Sequence, residues 1–462
     1  MSDPLHALAD VPDGAWLVGG ALRDRLLGRQ TADYDLAVAG DPATIARGLG
    51  RDAGGYAFEL SGAFAAWRVV AHDRTWQVDV LPVTGGSIEA DLAARDLTVN
   101  AIAQPLAGGD YVDPSGGLGD LRARRLRMVS ARAFASDPLR TLRLVRLACE
   151  LDFEVESETA TAARAQATAL PAVAPERIFG ELRRILSSPR ALTGFDLMAT
   201  TGVTASVLPE LEALRGVQQS RFHHLDVYDH TRAVLQQAIE LELDPERTFP
   251  GHGQTIARLL AKPLANELTR GGALRFGALF HDMAKPQTRA VTSEGRVTFI
   301  GHDQAGAELA RAVLRRLRAS ERLSEQVAEL TRHHLRLGFL VHEMPLSRRA
   351  VYGYLRACAP VQVDVTLLSV ADRLATRGAG AERAIAKHLE LARQLLDEAL
   401  SWEADPPRPP VRGDQLAKAL GIRSGPEVGR VLAALEEASF AGEIAGSEEA
   451  IERARQLLND GR

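Results

Sequence analysis

The stretch LVGGALRDRLLGRQTADYDLAVAG, residues 17–40, decides how the N-terminal part of this chain is read. An apolar run closes on Gly19-Gly20, a helical interval follows, and alternation resumes at Asp33, which spells strand, tight turn, helix and strand. A turn that opens a helix presents backbone N–H groups to an anion, so Gly19 and Gly20 are candidates to cradle a phosphate, with Arg23 one turn further on to reach it. Side chains of a strand alternate faces, which puts Asp33 and Asp35 on one side and Tyr34 and Leu36 on the other. Two neighbouring carboxylates repel unless a cation lies between them, and hard oxygen ligands on a rigid strand suit Mg²⁺. In TWQVDVL, residues 75–81, Trp76, Val78 and Val80 share one face and leave a third acid, Asp79, on the other. Three carboxylates on neighbouring strands would hold two metals for in-line phosphoryl transfer. The plainer readings are two solvated acids near a turn and an ordinary Gly-Gly turn.

Outward from this stretch, the short β-type runs AWLVGG, DYDLAVAG, AWRVVAH, TWQVDVLP and NAIAQPL alternate with helical intervals up to about residue 130, the pattern of an α+β domain. After Ala131 helical patterns take over, as in LRTLRLVRLACEL and ERIFGELRRILSS. The Pro-rich passage ADPPRPPVRG, residues 404–413, reads as a linker before a last small helical unit. A length of 462 residues suggests about three domains. No run reaches the roughly 18 apolar residues of a membrane helix, and MSDPLHALADVPDG lacks the basic end and apolar core of a signal peptide. With two distant cysteines, Cys149 and Cys358, a disulfide framework is excluded and a reducing cytoplasm is expected. The net charge of -5 argues against a polyanionic partner, but Arg122 to Ala148 holds eight arginines against one acid, Asp137.

Taken together, Gly19-Gly20, Arg23-Asp24, Leu27-Gly28-Arg29, Asp33 and Asp35 resemble the opening motif of class II tRNA nucleotidyltransferases and bacterial poly(A) polymerases. AARDLTVNAIA is similar to their second motif, with Arg95, Asp96 and Asn100 in place and Leu97 where Phe is usual. DPSGGLGDL, SDPLRTLRLVRLA and ERIFGELRRIL fit later blocks. The resemblance implies that Asp33 and Asp35 bind Mg²⁺, which activates the tRNA 3′ hydroxyl and the incoming α-phosphate. It also implies that Arg95 and Asp96 contact the sugar, with Asn100 and Arg143 beside the nucleotide. Asp137 and Arg140 would form an amino-acid template, since Asp accepts from an exocyclic amine while the Arg fork donates to a base edge. Asp137 before Pro138 is also what a helix cap looks like, and Ser136 departs from the acid usual there.

His230, the pair His281-Asp282 and Asp372 occur in helical contexts in the order H, HD, D. Imidazole with carboxylate suits a divalent metal. Residues from about 220 to 380 resemble the HD phosphohydrolase domain, which implies Mg²⁺, Mn²⁺ or Ni²⁺ there, with His302 and the pair His333-His334 completing a second metal.

The expected architecture is an α+β nucleotidyltransferase (palm) domain, residues 1–130, followed by all-α parts: a neck at 131–215, the HD domain at 216–400 and a tRNA-binding tail at 401–462. The expected partners are tRNA and CTP, with ATP if the enzyme completes the end, and no membrane. Asp79 is followed by LPVTGGSIEADLAARD, which reaches Arg95 without the long loop of full CCA-adding members. That resembles CC-adding members and implies a separate A-adding enzyme as partner. The alternatives are a poly(A) polymerase, an HD phosphohydrolase acting on RNA ends, and a protein that only binds tRNA.

Overall fold

The computed structural model describes Pro4 and residues 14–220, 224–378 and 380–460; the leader reading at the N-terminus falls almost entirely outside them. The chain divides into two compact units, Met1–Val207 and Leu208–Arg462.

The first unit is built on a six-stranded sheet of β1 (Ala15–Val18), β2 (Asp33–Val38), β3 (Gly55–Ser61), β4 (Ala66–Ala71), β5 (Gln77–Pro82) and β6 (Ala103–Pro105). Their order is β3-β4-β5-β2-β1-β6. Only β2 and β5 run parallel, pairing Asp35 with Asp79; the other neighbours are antiparallel. Helix α1 (Gly19–Leu26) follows β1 directly. Helix α2 (Pro42–Ala53) starts on an Asp41 cap, whose carboxylate accepts from the Ala43 and Thr44 amides, and ends at left-handed Gly54. Ala46 and Leu49 of α2 join Leu36, Val38, Val69, Val78 and Val80 in one apolar core; the opposite sheet face holds a smaller apolar cluster of Val18, Ala37 and Ala103 with Ile88 and Leu92, and beside it the acids Asp33, Asp35 and Asp79.

Four of the five β-type runs become strands, and the fifth shrinks to Ala103–Pro105. Strand β3 was not foreseen. It lies at the sheet edge, and Tyr56, Phe58 and Leu60 are exposed rather than buried, so its apolar residues do not mark a core face. Beyond residue 131 the unit continues in helices, among them Arg140–Leu151 and Pro175–Ser187. Arginines 140, 143 and 146 of the first recur every three residues and so share one side of it.

The second unit is mostly helical, with short hairpins at 263–269 and 290–298. Helices Val227–Leu243, Arg270–Phe280, His302–Arg316, Glu321–His333 and Gln362–Ala375 carry the histidine motifs or flank them. After the irregular passage 405–412, three helices over 413–460 pack around Leu416, Val431, Leu435 and Ala454, a core of their own. Both cysteines are free and buried, with thiols pushed up to about 12, first by burial. Among the described residues no helix is long and apolar enough to cross a membrane.

Candidate active sites

The first site lies where β1 passes into α1. Gly19 has φ +71, and a Cβ there would stand 3.1 Å from Oδ2 of Asp35 and 3.2 Å from Nη1 of Arg95. Only glycine fits both the backbone conformation and this close approach. A cleft of about 470 Å³ opens here, lined by Gly19, Gly20, Arg23, Asp33, Asp35, Arg95, Asp96, Asn100, Arg140 and Arg143 together with Thr31, Arg146, Glu181 and Arg184. Ten of the twelve residues singled out for this site in the sequence therefore meet in one place; Asp79 and Asp137 are not on its wall.

The carboxylates sit as a cation site requires. Burial first, then Asp79, raises the Asp35 carboxyl above its ordinary range, Asp33 adds to the rise, and Arg95 and Arg68 oppose it. A divalent ion beside Asp33 and Asp35 would remove this repulsion, so the donor set fits Mg²⁺. Asp79 is held instead by Arg68 of β4, at 2.6 and 2.8 Å, and would have to exchange that partner to reach a metal.

The opposite wall is basic, yet its arginines are already paired. Arg23 donates to Oδ1 of Asn100 at 2.7 Å and pairs with Asp24. Asp91 accepts from Nη2 of Arg95 at 2.9 Å and also from the Thr84 hydroxyl at 2.7 Å. Asp96 is buried and accepts from Asn100, the Leu97 amide and Arg143. Burial alone would raise its carboxyl, but Arg143 and the Asn100 bond hold it below the usual range. Glu181, not singled out in the sequence although it stands in ERIFGELRRIL, pairs with both Arg143 and Arg146; Glu150 joins Arg146 to Arg184.

The expected template pair is engaged elsewhere. Arg140 donates to the carbonyls of Ala94 at 2.9 Å, Arg95 at 3.2 Å and Ala133 at 3.0 Å, and to the Ser136 hydroxyl. Asp137 accepts from the Leu139 amide at 3.2 Å, as a cap does, and from Arg177 at 2.7 Å.

The second site gathers His230, His281, Asp282, His302, His334 and Asp372. Nε2 of His281 lies 3.0 Å from Oδ2 of Asp282, and those of His302 and His334 lie 3.3 and 3.9 Å from Oδ1. Nε2 of His230 is 3.0 Å from Asp372. Ligand atoms of His230, His281 and Asp282 fall within 4.8 Å of one another, as do those of Asp282, His302 and His334. Lys285, which the sequence reading passed over, pairs with Oδ2 of Asp282 at 2.7 Å.

The histidines are oriented for a metal. Nδ1 of His281, His302 and His334 donates to the carbonyls of Ala278, Phe299 and Thr331, which aims each Nε2 at the cluster. Nε2 of His281 is buried and makes no well-formed hydrogen bond among the described residues. His334 stays neutral, its imidazole pushed down to about 3 by burial and by His281 and His302. At His281 burial is outweighed by Asp282, which draws a proton onto the ring; a divalent ion would take that proton's place.

One expectation is corrected. His333 does not join its neighbour. Its Nε2 faces Glu329 at 3.1 Å and its Nδ1 accepts from Arg336 at 2.8 Å, because successive residues at a helix end point in different directions.

Three family models match: the poly A polymerase head domain over residues 15–127, the probable RNA and SrmB-binding site of polymerase A over 152–214, and the HD domain over 227–377. The chain is 36% identical over 449 residues to an A-adding tRNA nucleotidyltransferase of Deinococcus radiodurans, covering 96% of this chain and 95% of that protein. It is 37% identical over 447 residues to a CC-adding tRNA nucleotidyltransferase of Thermus thermophilus, covering 95% and 92%. Its fold is similar to that of a Thermotoga maritima CCA-adding enzyme solved in complex with tRNA, with TM-score 0.62 at 20% identity, covering 98% of this chain and 94% of that one.

Proposed function

Because the chain belongs to the family of tRNA nucleotidyltransferases that share a head domain with poly(A) polymerases, we propose that it extends the 3′ end of tRNA by two cytidylates taken from CTP, releasing pyrophosphate. The observation that carries the transfer reaction is the cleft that joins Gly19, Asp33, Asp35 and the arginines of helix Arg140–Leu151. Asp33 and Asp35 would hold a divalent metal, which would supply positive charge to the transferring phosphoryl group. The chain's own residues do the positioning. Gly19 and Gly20 bring backbone close to the phosphates, Arg23 and Arg143 neutralise them, and Arg95 holds the sugar side through its bond to Asp91.

The cytidylate assignment rests on the connection after β5. Five residues, 83–87, separate Pro82 from Ile88, the first residue of α3 (Ile88–Ala93). Thr84 is tied to Asp91, Asp91 to Arg95, and the Arg95 carbonyl to Arg140. This short, tied passage gives the pocket one setting rather than two. A single setting serves terminal adenylate as well, and the chain is about as similar to an A-adding relative, at 36%, as to a CC-adding one, at 37%. Product length separates them. With CTP and ATP both present, tRNA ending at the discriminator base should gain two nucleotides and stop. Extension only of tRNA already ending in CC, by one A, reverses the assignment, and efficient addition of all three overturns the single setting.

Asp137→Ala should relax the choice among nucleotides more than it weakens tRNA binding, through release of Arg177 and a changed start to helix Arg140–Leu151. Equal loss for every nucleotide together with earlier melting assigns Asp137 to capping alone.

The histidine cluster is proposed to hydrolyse a phosphoester, such as a 2′,3′-cyclic phosphate blocking a tRNA end, with a divalent ion held by His230, His281, Asp282 and Asp372. His302 and His334 extend the site toward a second ion.

A further inference from the structure

The catalytic carboxylates belong to rows that cross four neighbouring strands, from β2 to β3. Asp35 pairs with Asp79, Asp79 with Arg68, and Arg68 with Phe58. One step along, Asp33 pairs with Gln77, Gln77 with Val70, and Val70 with Tyr56. Directly paired residues project from the same face, so Tyr56 and Phe58 stand on the face that carries Asp33 and Asp35. The other face is buried under α2, and Ala57 between the two aromatics turns toward it.

These aromatics are not core residues. Tyr56 is 47% and Phe58 40% exposed, their rings stack on each other at 6.0 Å, and His72 stacks on Tyr56 at 6.2 Å. Leu81, next to Asp79 on the same face, is exposed too. At about 4.8 Å between strands, Phe58 lies roughly 14 Å from Asp35, a span of about four stacked nucleotides at 3.4 Å each. Arg68 stands one strand in from Phe58 and answers Asp79, so a strand crossing the face meets a cation before the acids.

We propose that this face is the stacking platform for the unpaired 3′ end of the tRNA, which crosses from Phe58 and Tyr56 past Arg68 to present its terminal hydroxyl at Asp35. The occupant follows from continuity: whatever is extended at Asp35 must approach along this sheet or across the arginine wall that takes the triphosphate. Exposed aromatic rings bind bases without regard to sequence, which suits an end whose last unpaired base differs between tRNAs. The inference rests on the tRNA-extending reading above.

The test is steady-state kinetics of the full chain on tRNA lacking its terminal nucleotides. The double variant Tyr56→Ser, Phe58→Ser should raise KM for tRNA at least about tenfold while KM for CTP stays within about twofold. Its affinity for an acceptor hairpin with a blunt end should hardly change. In the single variant Phe58→Trp the added indole emission should be quenched by tRNA with an unpaired end and not by the blunt hairpin. An unchanged KM for tRNA in the double variant, equal weakening on blunt and overhung substrates, or indole emission from Phe58→Trp that tRNA leaves unquenched overturns the proposal. So does a double variant that keeps its KM for tRNA but changes its oligomeric state, which would give the face to a protein partner. Failure of the wild-type chain to extend tRNA at all would instead remove the reading beneath it.

Discussion

Asp35→Asn should lower nucleotide addition at least about a thousandfold while the protein melts at the wild-type temperature and binds tRNA as before. The substitution removes a charge and no volume, and the side chain stands in a cleft rather than in the core. Preorganised charge at a phosphoryl-transfer centre is where electrostatic stabilisation is largest. Burial, Asp79 and Asp33 all disfavour the Asp35 charge, so removing it relieves a repulsion that offsets what Arg95 and Arg68 lose, and stability should not fall. Single-turnover incorporation of labelled CTP measures the effect, and incorporation above about a thousandth of wild type would refute the metal assignment. A pH dependence accompanies it. Burial first, then Asp79, raises this carboxyl, so on acidification it takes up its proton at a higher pH than an ordinary aspartate, near 4, would. Addition by the wild type should therefore fall early on the acid side, and raising Mg²⁺ should move that limb to lower pH, because the ion competes with the proton.

Asp282→Ala should abolish divalent-metal binding in the second unit, with at least about a hundredfold loss of affinity, and remove the phosphoester hydrolysis proposed there. Asp282 belongs to both groups of ligand atoms, so no single histidine variant should match it. Burial opposes its charge, but His281 and Lys285 hold its carboxyl well below the usual range, so it stays ionised and available to a cation. Nucleotide addition should persist. Calorimetric titration with Mn²⁺ or Ni²⁺ and an assay on a 2′,3′-cyclic phosphate end check both parts. Hydrolysis that survives Asp282→Ala and dies with Asp35→Asn would place both reactions in one centre.

The sequence shows most of the first site because its chemistry is local. Gly19, Asp33 and Asp35 stand within one strand-turn-helix-strand passage, and period-two alternation suffices to put both acids on one face. What it hides depends on distant pairing. The engagement of Asp79 by Arg68 needs the β4 and β5 register, and Glu181 under Arg143 and Arg146 needs two helices to pack. Asp137 is open to two readings in the sequence; its bond to the Leu139 amide is local, while its ion pair with Arg177 of helix Pro175–Ser187 needs two helices to pack. The pair His333-His334 could not be divided from sequence, since both are the same residue type and only the exit direction of helix Glu321–His333 separates them. Strand β3 escaped because its apolar side chains face outward.

The carbonyls that orient His281, His302 and His334 belong to Ala278, Phe299 and Thr331, each three positions earlier in the chain. For these three histidines the orienting acceptor is thus main chain, supplied by the same short segment that carries the ligand. Where a metal centre enlists a carboxylate side chain for this task, that group can be lost by a single codon change. Here no side-chain replacement at the three supporting positions removes the acceptor; only a break in the local backbone does. Each histidine therefore travels with its own orienting group, as a self-contained cassette. Mutational scanning of the site should find tolerance at 278, 299 and 331 for any residue the packing accepts, and sharp intolerance to proline just ahead of the ligands.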